Sequence, residues 1–194
     1  MLETKRKLIE EIKSNNPNKP LIFVHTPKCG GTYVGKILKD LGIRNMHHHL
    51  AKKEKGIHFI VIREPVNRFE SLLNYRLDPK SPMDWPRHLK KINTNTSLNE
   101  IVTQMSDSEI LSFAPYKTLT YWSQDVDILI TMNELKEFLQ MFGYTYNEAN
   151  YSPRNVSSKT RGTLNDATKE RLYNLYQEDI NLYNRWTKVG CGLL

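Results

Sequence analysis

The sequence lacks long hydrophobic runs and holds few cysteines. Its longest apolar stretches, such as LIFV at 21–24 and FIVI at 59–62, are far shorter than the roughly 20 residues that a helix needs to cross a bilayer. The N-terminal stretch carries charges but no apolar segment typical of a secretory signal. Two cysteines, Cys29 and Cys191, argue against a disulfide framework and favour a reducing compartment. We therefore expect a cytoplasmic protein without a membrane anchor.

The composition indicates one globular domain with an excess of positive charge. The chain has 194 residues, of which 39% are hydrophobic and 25% charged, and it contains no internal repeat and no low-complexity linker. We expect a single domain over 1–194 with room for a substantial core. The formal net charge of +7 suits an anionic ligand, a nucleic acid or an acidic polymer, and it does not choose among them.

Short apolar runs alternate along the chain with stretches of helical periodicity. The pattern predicts an N-terminal helix within 1–16, strands at 20–26, 56–62 and 125–132, helices at 31–42, 63–77, 133–143 and 167–186, and a further helix opened by the capping box SLNE at 97–100. This alternation predicts an α/β fold of three layers, in which helices flank a central, mainly parallel sheet. In such sheets ligands bind at the carboxyl ends of the strands.

The stretch PKCGGT at 27–32 follows the first predicted strand and opens a helix. A strand, a glycine-rich turn and a helix N-terminus form a P-loop-like phosphate site, because backbone N–H groups and the helix dipole favour an anion. Lys28 adds a charge, Thr32 adds a hydroxyl donor, and Gly30 and Gly31 let the backbone approach a ligand closely. In a Walker A loop, by contrast, the lysine follows the last glycine and a Mg²⁺-binding hydroxyl comes next. The alternative is a tight strand–helix turn with a solvated lysine.

The segment REPVNRFESLLNY at 63–75 carries a second candidate anion site. Arg63 ends the second predicted strand, and Arg68 and Ser71, three residues apart, share one face of the next helix. Because Arg63 leads into that helix, we expect Arg63 and Ser71 to converge on one anion, as a guanidinium and a hydroxyl suited to phosphate. The alternative interpretation is a pair of surface arginines.

Together the two motifs resemble those of the PAPS-dependent sulfotransferases, with the nearest similarity to the carbohydrate branch that includes the heparan 2-O-sulfotransferases. In that family a PKxGGT/S turn holds the 5′-phosphosulfate of PAPS, and an RDPxxRxxSxxY segment holds the 3′-phosphate. This chain departs at Glu64, where the family has Asp, and at Tyr33, where a serine often stands. Weaker similarity covers about residues 20 to 186.

The resemblance implies a PAPS site built from both motifs. The residues that would hold the 5′-phosphosulfate are Lys28, Cys29, Gly30, Gly31, Thr32 and Tyr33. Arg63 and Ser71 would bind the 3′-phosphate. The loop 154–161 would close over the nucleotide through Asn155, Ser157 and Arg161. Arg68 matches a motif arginine, with packing or an ion pair as its alternative role. PAPS is thus the expected co-substrate, with PAP as product and no metal required.

Sulfuryl transfer needs a group that stabilises the leaving oxygen and a base for the acceptor hydroxyl. Lys28 is the candidate for the first role. Related enzymes carry a His-x-His whose second histidine is the base, and in the HHH stretch at 47–49 this selects His49, with His48 as the next candidate. The stretch is otherwise a solvated cluster or a metal site.

The sequence offers other side chains as bases. Glu64 and Glu70 are alternatives, because some sulfotransferases use a carboxylate, whereas His25 is expected to be structural.

The expected activity is transfer of the sulfuryl group from PAPS to a hydroxyl, with a carbohydrate as the favoured acceptor and a lipid, a small molecule or a tyrosine left open. The alternatives are a small P-loop nucleotide kinase, a nucleic-acid-binding module, and a sulfotransferase-like protein without activity. Basic residues are spread along the chain without a basic-aromatic motif, which argues against nucleic acid. The segment 78–124 is expected to shape the acceptor site. Without an anchor, a bacterial or viral origin fits better than the Golgi.

Overall fold

The computed structural model describes residues 1–46, 54–77, 96–111, 117–152 and 162–189. The helices in this part of the chain are α1 (Glu3–Asn15), α2 (Gly31–Asp40), α3 (Pro65–Leu77), α4 (Leu98–Gln104), α5 (Asp107–Leu111), α6 (Leu119–Ser123), α7 (Leu135–Met141), α8 (Asp166–Leu175) and α9 (Gln177–Asn184). The strands are β1 (Leu21–Val24), β2 (Arg44–Met46), β3 (Ile57–Ile62) and β4 (Ile128–Thr131). Short 3₁₀ turns cover Met132–Glu134 and Glu148–Asn150, and a π-helical turn, Arg185–Val189, follows α9.

The strands of the described chain form one four-stranded sheet in the order β2-β1-β3-β4, and every pairing is parallel. The central strands are buried at every position, as expected of a parallel sheet that helices cover on both faces. In the register of β1 with β3, Phe23 lies opposite Phe59. The predicted α/β fold with a central parallel sheet is confirmed.

The direction in which strands are added to the sheet reverses between β1 and β3. From β1 the chain runs through α2 to β2 on one side, and from β3 it runs through α3 to α6 to β4 on the other. Because crossovers between parallel strands are right-handed, the two connections lie on opposite faces of the sheet. The carboxyl ends of β1 and β3 therefore flank a topological switch point, where open α/β sheets bind their ligands.

Among the described residues the core consists of two hydrophobic clusters. The larger joins the sheet to apolar residues of α1, α2 and α7, such as Ile9, Ile37 and Phe138. The smaller joins α3, α4, α5 and α8 through residues such as Leu73 and Ile101. Helix α4 begins at the capping box predicted from the sequence, in which Ser97 and Glu100 each bond the other's backbone N–H. The described part of the segment 78–124 thus builds core.

Helix α1 is fastened to the rest of the fold by a buried lysine. Lys5 is 0% exposed, and its Nζ lies 2.6 Å from the Glu134 carboxylate and donates to the Trp186 carbonyl at 3.2 Å. Glu134 also accepts hydrogen bonds from the backbone and the hydroxyl of Thr131 at the end of β4. The lysine therefore joins α1 both to the sheet and to the turn after α9.

The structure differs from the sequence-based elements at the C-terminal helix, at β2 and at the short helices α5 and α6, which were not predicted. The single terminal helix predicted over 167–186 is divided at Tyr176, whose side chain is buried and whose hydroxyl donates to the Ile110 carbonyl at 3.1 Å. The division lets α8 bury Leu172 in the smaller cluster and α9 bury Leu182 in the larger one. Strand β2 was not predicted, because two of its three residues are exposed and polar.

Candidate anion-binding site

The turn after β1 contains two residues in the left-handed region of backbone conformation. Lys28 has a φ of 63° and Gly30 a φ of 79°. Glycine adopts such angles freely, whereas a lysine does so only where its surroundings hold it. With this conformation the chain turns directly from β1 into α2, so that α2 begins at the carboxyl edge of the sheet.

Side chains of the protein itself lie close against two glycines of this turn. A Cβ atom at Gly31 would lie 2.0 Å from Nε2 of His25, and one at Gly30 would lie 2.2 Å from the Met132 methyl group. The His25 ring therefore fills the space beside Gly31, in keeping with a structural role. From the sequence both glycines were attributed to a bound anion, and these two neighbours were not foreseen.

The N-terminus of α2 has the polarity that favours an anion. Its first hydrogen bonds run from the Tyr33 and Val34 N–H groups to the Gly30 carbonyl, so the N–H groups of Gly31 and Thr32 precede them at the positive end of the helix dipole. Gly30, the N-cap, offers no capping side chain, and the first turn of α2 contains no acidic residue. An anion placed here would therefore meet no negative charge from α2's own first turn.

Lys28 lies at this edge with its ammonium group 4.0 Å from the centre of the Tyr75 ring. Burial, and to a lesser extent the nearby charge of Arg63, lower the pKa of Lys28 from its ordinary value of 10.5 to about 8. The two cations thus come from separate turns and repel each other. Neither forms an ion pair within the described residues, and such convergent positive charge favours binding of an anion.

Arg63 follows β3 directly, and its side chain is exposed. Arg68 and Arg63 both lie near the Cys29 thiol, and their charges act to lower its pKa against the larger effect of burial. Cys29 itself is a free, buried thiol whose pKa is raised by burial. A ligand at this edge would therefore meet Cys29 through its backbone, and Arg63 through its side chain.

Arg68 directs its guanidinium to the backbone. Its Nε donates to the Pro27 carbonyl at 3.0 Å, and its Nη1 donates to the Lys117 carbonyl at 2.9 Å. The side chain is buried and forms no ion pair within the described chain, and its Nη2 has no hydrogen-bond partner there. Of the roles considered for Arg68, an ion pair is thus not the one observed.

The acidic and hydroxyl candidates on α3 have distinct surroundings. Glu64 caps α3, since its carboxylate accepts hydrogen bonds from the N–H groups of Val66 at 3.2 Å and Asn67 at 2.7 Å. Glu70 has a long contact of 3.5 Å with the Leu164 N–H. Ser71 is half-buried and lies six residues after the start of α3. That Ser71 shares an anion with Arg63 stays a prediction.

Several predicted site residues lie outside the described residues. These are the base candidates His48 and His49 and the loop residues Asn155, Ser157 and Arg161. Their roles stay predictions. Conversely, Tyr75 was not singled out from the sequence, although it closes the quoted second motif four residues after Ser71, the spacing of one helical turn.

A larger cleft lies at the opposite edge of the sheet. It encloses about 680 Å³ beside the residues that precede β4, and its lining includes Asp125, Asp127 and Glu178 against the single cation Arg185. A cleft with this charge disfavours a polyanionic ligand. The positively charged edge at the switch point is therefore the better candidate for an anion.

Comparison with protein-family models, with curated proteins and with solved structures finds no match to this chain. No helix among the described residues combines the length and the apolar character needed to cross a membrane. In the same part of the chain no three side chains of His, Cys, Asp or Glu are grouped so that they could hold a metal ion.

Proposed function

We propose that this protein is a PAPS-dependent sulfotransferase that transfers the sulfuryl group to a hydroxyl, with a carbohydrate as the expected class of acceptor. The observation that carries the proposal is the proximity of Lys28 and Arg63 beside the N-terminus of α2 at the switch point. This arrangement favours an anion, and the resemblance of PKCGGT and REPVNRFESLLNY to the family motifs selects PAPS among anions.

The order of groups in the turn supports a sulfotransferase over a P-loop kinase. Lys28 precedes the glycines and lies before α2, whereas the lysine of a Walker A loop follows them and is itself followed by the Mg²⁺-binding hydroxyl. In this chain Thr32 follows Gly31 directly, so no lysine–hydroxyl pair opens α2.

Each step of the proposed transfer has a group assigned to it. The acceptor oxygen forms a bond to sulfur in line while the bond from sulfur to the 5′-phosphate oxygen breaks, and PAP leaves with that electron pair. With a pKa of about 8, Lys28 is largely protonated at neutral pH and can stabilise the charge on the leaving oxygen. The acceptor proton passes to a base, for which His49 is the candidate.

Of the two carboxylates that are alternative bases, Glu64 is the weaker candidate on structural grounds. Two backbone N–H groups already bond its oxygens, so these oxygens are engaged in capping α3. Glu70 has one long backbone contact and is less engaged.

Affinity for PAP tests the nucleotide site. We expect Lys28→Ala and Arg63→Ala each to weaken PAP binding about 10- to 100-fold, the scale of a lost hydrogen bond to a charged group, by isothermal titration calorimetry. Lys36→Ala and Arg44→Ala are matched controls, because both remove exposed cations, one on α2 and one on β2. Equal losses in all four variants would mean that PAP responds only to net charge and would overturn the assignment.

A further inference from the structure

Arg68 connects the turn after β1 to two other parts of the fold. It projects from α3, and its bonds to the carbonyls of Pro27 and Lys117 span 41 and 49 residues of sequence. The residue is 6% exposed, so water has little access to its guanidinium group. Pro27 is the residue immediately before Lys28, and Arg68 therefore fixes the peptide unit that leads into Lys28.

The far anchor of Arg68 is itself held firmly. Lys117 lies just before α6, and the buried carboxylate of Asp179 on α9 accepts hydrogen bonds from the N–H groups of Leu119 at 2.6 Å and Thr120 at 2.9 Å. Hydrogen bonds thus connect the start of α6 to α9. Arg68 adds a hydrogen bond from this region to the turn after β1.

Lys28 is the residue in the turn that needs such support. Its positive φ is uncommon for a residue with a side chain and persists where surrounding contacts impose it. The geometry points to Arg68 as a positioning residue, which holds Lys28 in its left-handed conformation and so keeps the ammonium group at the anion-binding edge. The identity of that anion as PAPS rests on the proposed function.

The pKa of Lys28 is a readout of its local environment that a general loss of stability would not change. The titratable or charged groups around it are Cys29 in the turn, Arg63 after β3, Arg68 and Tyr75 on α3, and Tyr176 and Asp179 across a small shared cavity. Burial is the main reason for its lowered pKa. If the turn loosens, Lys28 gains water and its pKa rises.

The first test measures the pKa of Lys28 without any ligand. Lysines are labelled with ¹³C at Cε, the Lys28 signal is assigned by its loss in Lys28→Arg, and its titration is followed by NMR. In Arg68→Lys, which keeps the charge but not the two-pronged donor, we expect the midpoint to move from about 8 toward 10.5. Arg68→Gln, with one amide donor group, is a second variant should Arg68→Lys not fold.

Arg171 provides the matched control. From α8 it also donates to two backbone carbonyls, those of Val102 at 2.8 Å and Met105 at 2.7 Å, but these lie in the smaller core cluster. Arg171→Lys should lower the melting temperature and leave the Lys28 midpoint near 8. An unchanged midpoint in the Arg68 variants, or an equal shift in Arg171→Lys, overturns the inference.

The second test combines substitutions. Arg68→Lys should weaken PAP binding roughly tenfold when Lys28 is present and should add no further loss in a Lys28→Ala background, because its effect passes through Lys28. If the losses of PAP affinity from the two substitutions are additive, Arg68 does not act through Lys28. If the unaltered protein does not bind PAP, the proposed function fails, while the NMR titration still decides whether Arg68 holds Lys28.

Discussion

At Lys28 a positive charge, an uncommon backbone angle and partial burial coincide. The charge and its position before the glycines are visible in the sequence, and so is its expected contact with an anion. The lowered pKa of Lys28 is not visible in the sequence, because its two causes, burial and the charge of Arg63, depend on the pairing of β1 with β3. The same holds for Arg68, since only the fold decides whether a guanidinium meets a ligand or a backbone carbonyl.

The pKa of Lys28 predicts how PAP affinity depends on pH. The charged form binds the anion, so affinity should be steady below about pH 8 and should fall as pH rises through that value, at up to about tenfold per pH unit for one proton. Calorimetry across this range at constant ionic strength measures the slope. In Lys28→Arg the charge persists and the slope should vanish; an unchanged slope would assign the titration to another group.

At the scale of elements, some features of the region from β1 to β3 can be predicted from the sequence and others cannot. The buried runs of β1 and β3 and the helix after each were predictable, because continuous apolar stretches bounded by polar turns indicate strands of a parallel sheet. β2 was not, since its exposed Arg44 and Asn45 carry no strand signal. The contacts of Gly30 and Gly31 were not predictable, because Met132 is distant in the sequence and the position of the His25 ring depends on the fold.

Substitution of the two glycines of α2 tests the packing of the turn. Gly31→Ala should destabilise the protein by about 1–3 kcal/mol, because its Cβ would overlap the His25 ring. Gly35→Ala is the control in the same helix: its Cβ would lie 3.0 Å from the end of the Asn45 side chain, and alanine improves helix propensity by up to about 1 kcal/mol. Urea unfolding compares them, and equal stabilities would show that the His25 ring yields freely.

At the scale of the whole molecule, the order of the strands determines where a ligand can bind. The sequence predicts a parallel sheet but not the order β2-β1-β3-β4, because strand order depends on long-range pairing. That order brings the turn after β1 and Arg63 after β3 to one switch point, and it leaves the larger, acidic cleft at the opposite edge. The contacts by which Lys5 joins α1 to the rest of the fold were also not predictable, since a single lysine in an amphipathic helix is expected to be solvent-exposed.

The buried Lys5 predicts how strongly α1 contributes to the fold. Lys5→Ala leaves Glu134, whose side chain is only 13% exposed, without its cation, and loss of one partner of a buried pair costs about 3–5 kcal/mol. We expect the low end of this range, because Thr131 still bonds Glu134. Lys7→Ala removes an exposed lysine of the same helix, paired with Glu3 at 3.9 Å, and should change stability little. Similar melting temperatures for both variants would contradict the role of Lys5.

The most direct test of the central claim is thermal unfolding of the protein with PAP, compared with ATP and Mg²⁺. A ligand at about a hundred times its Kd stabilises the folded state by about 2.7 kcal/mol, or about 5–10 °C in Tm for a domain of this size. We expect that shift with PAP, no shift with ATP and Mg²⁺, and loss of the PAP shift in Lys28→Ala. A shift with ATP and Mg²⁺ alone would favour a kinase, and no shift with PAP would contradict the proposed site.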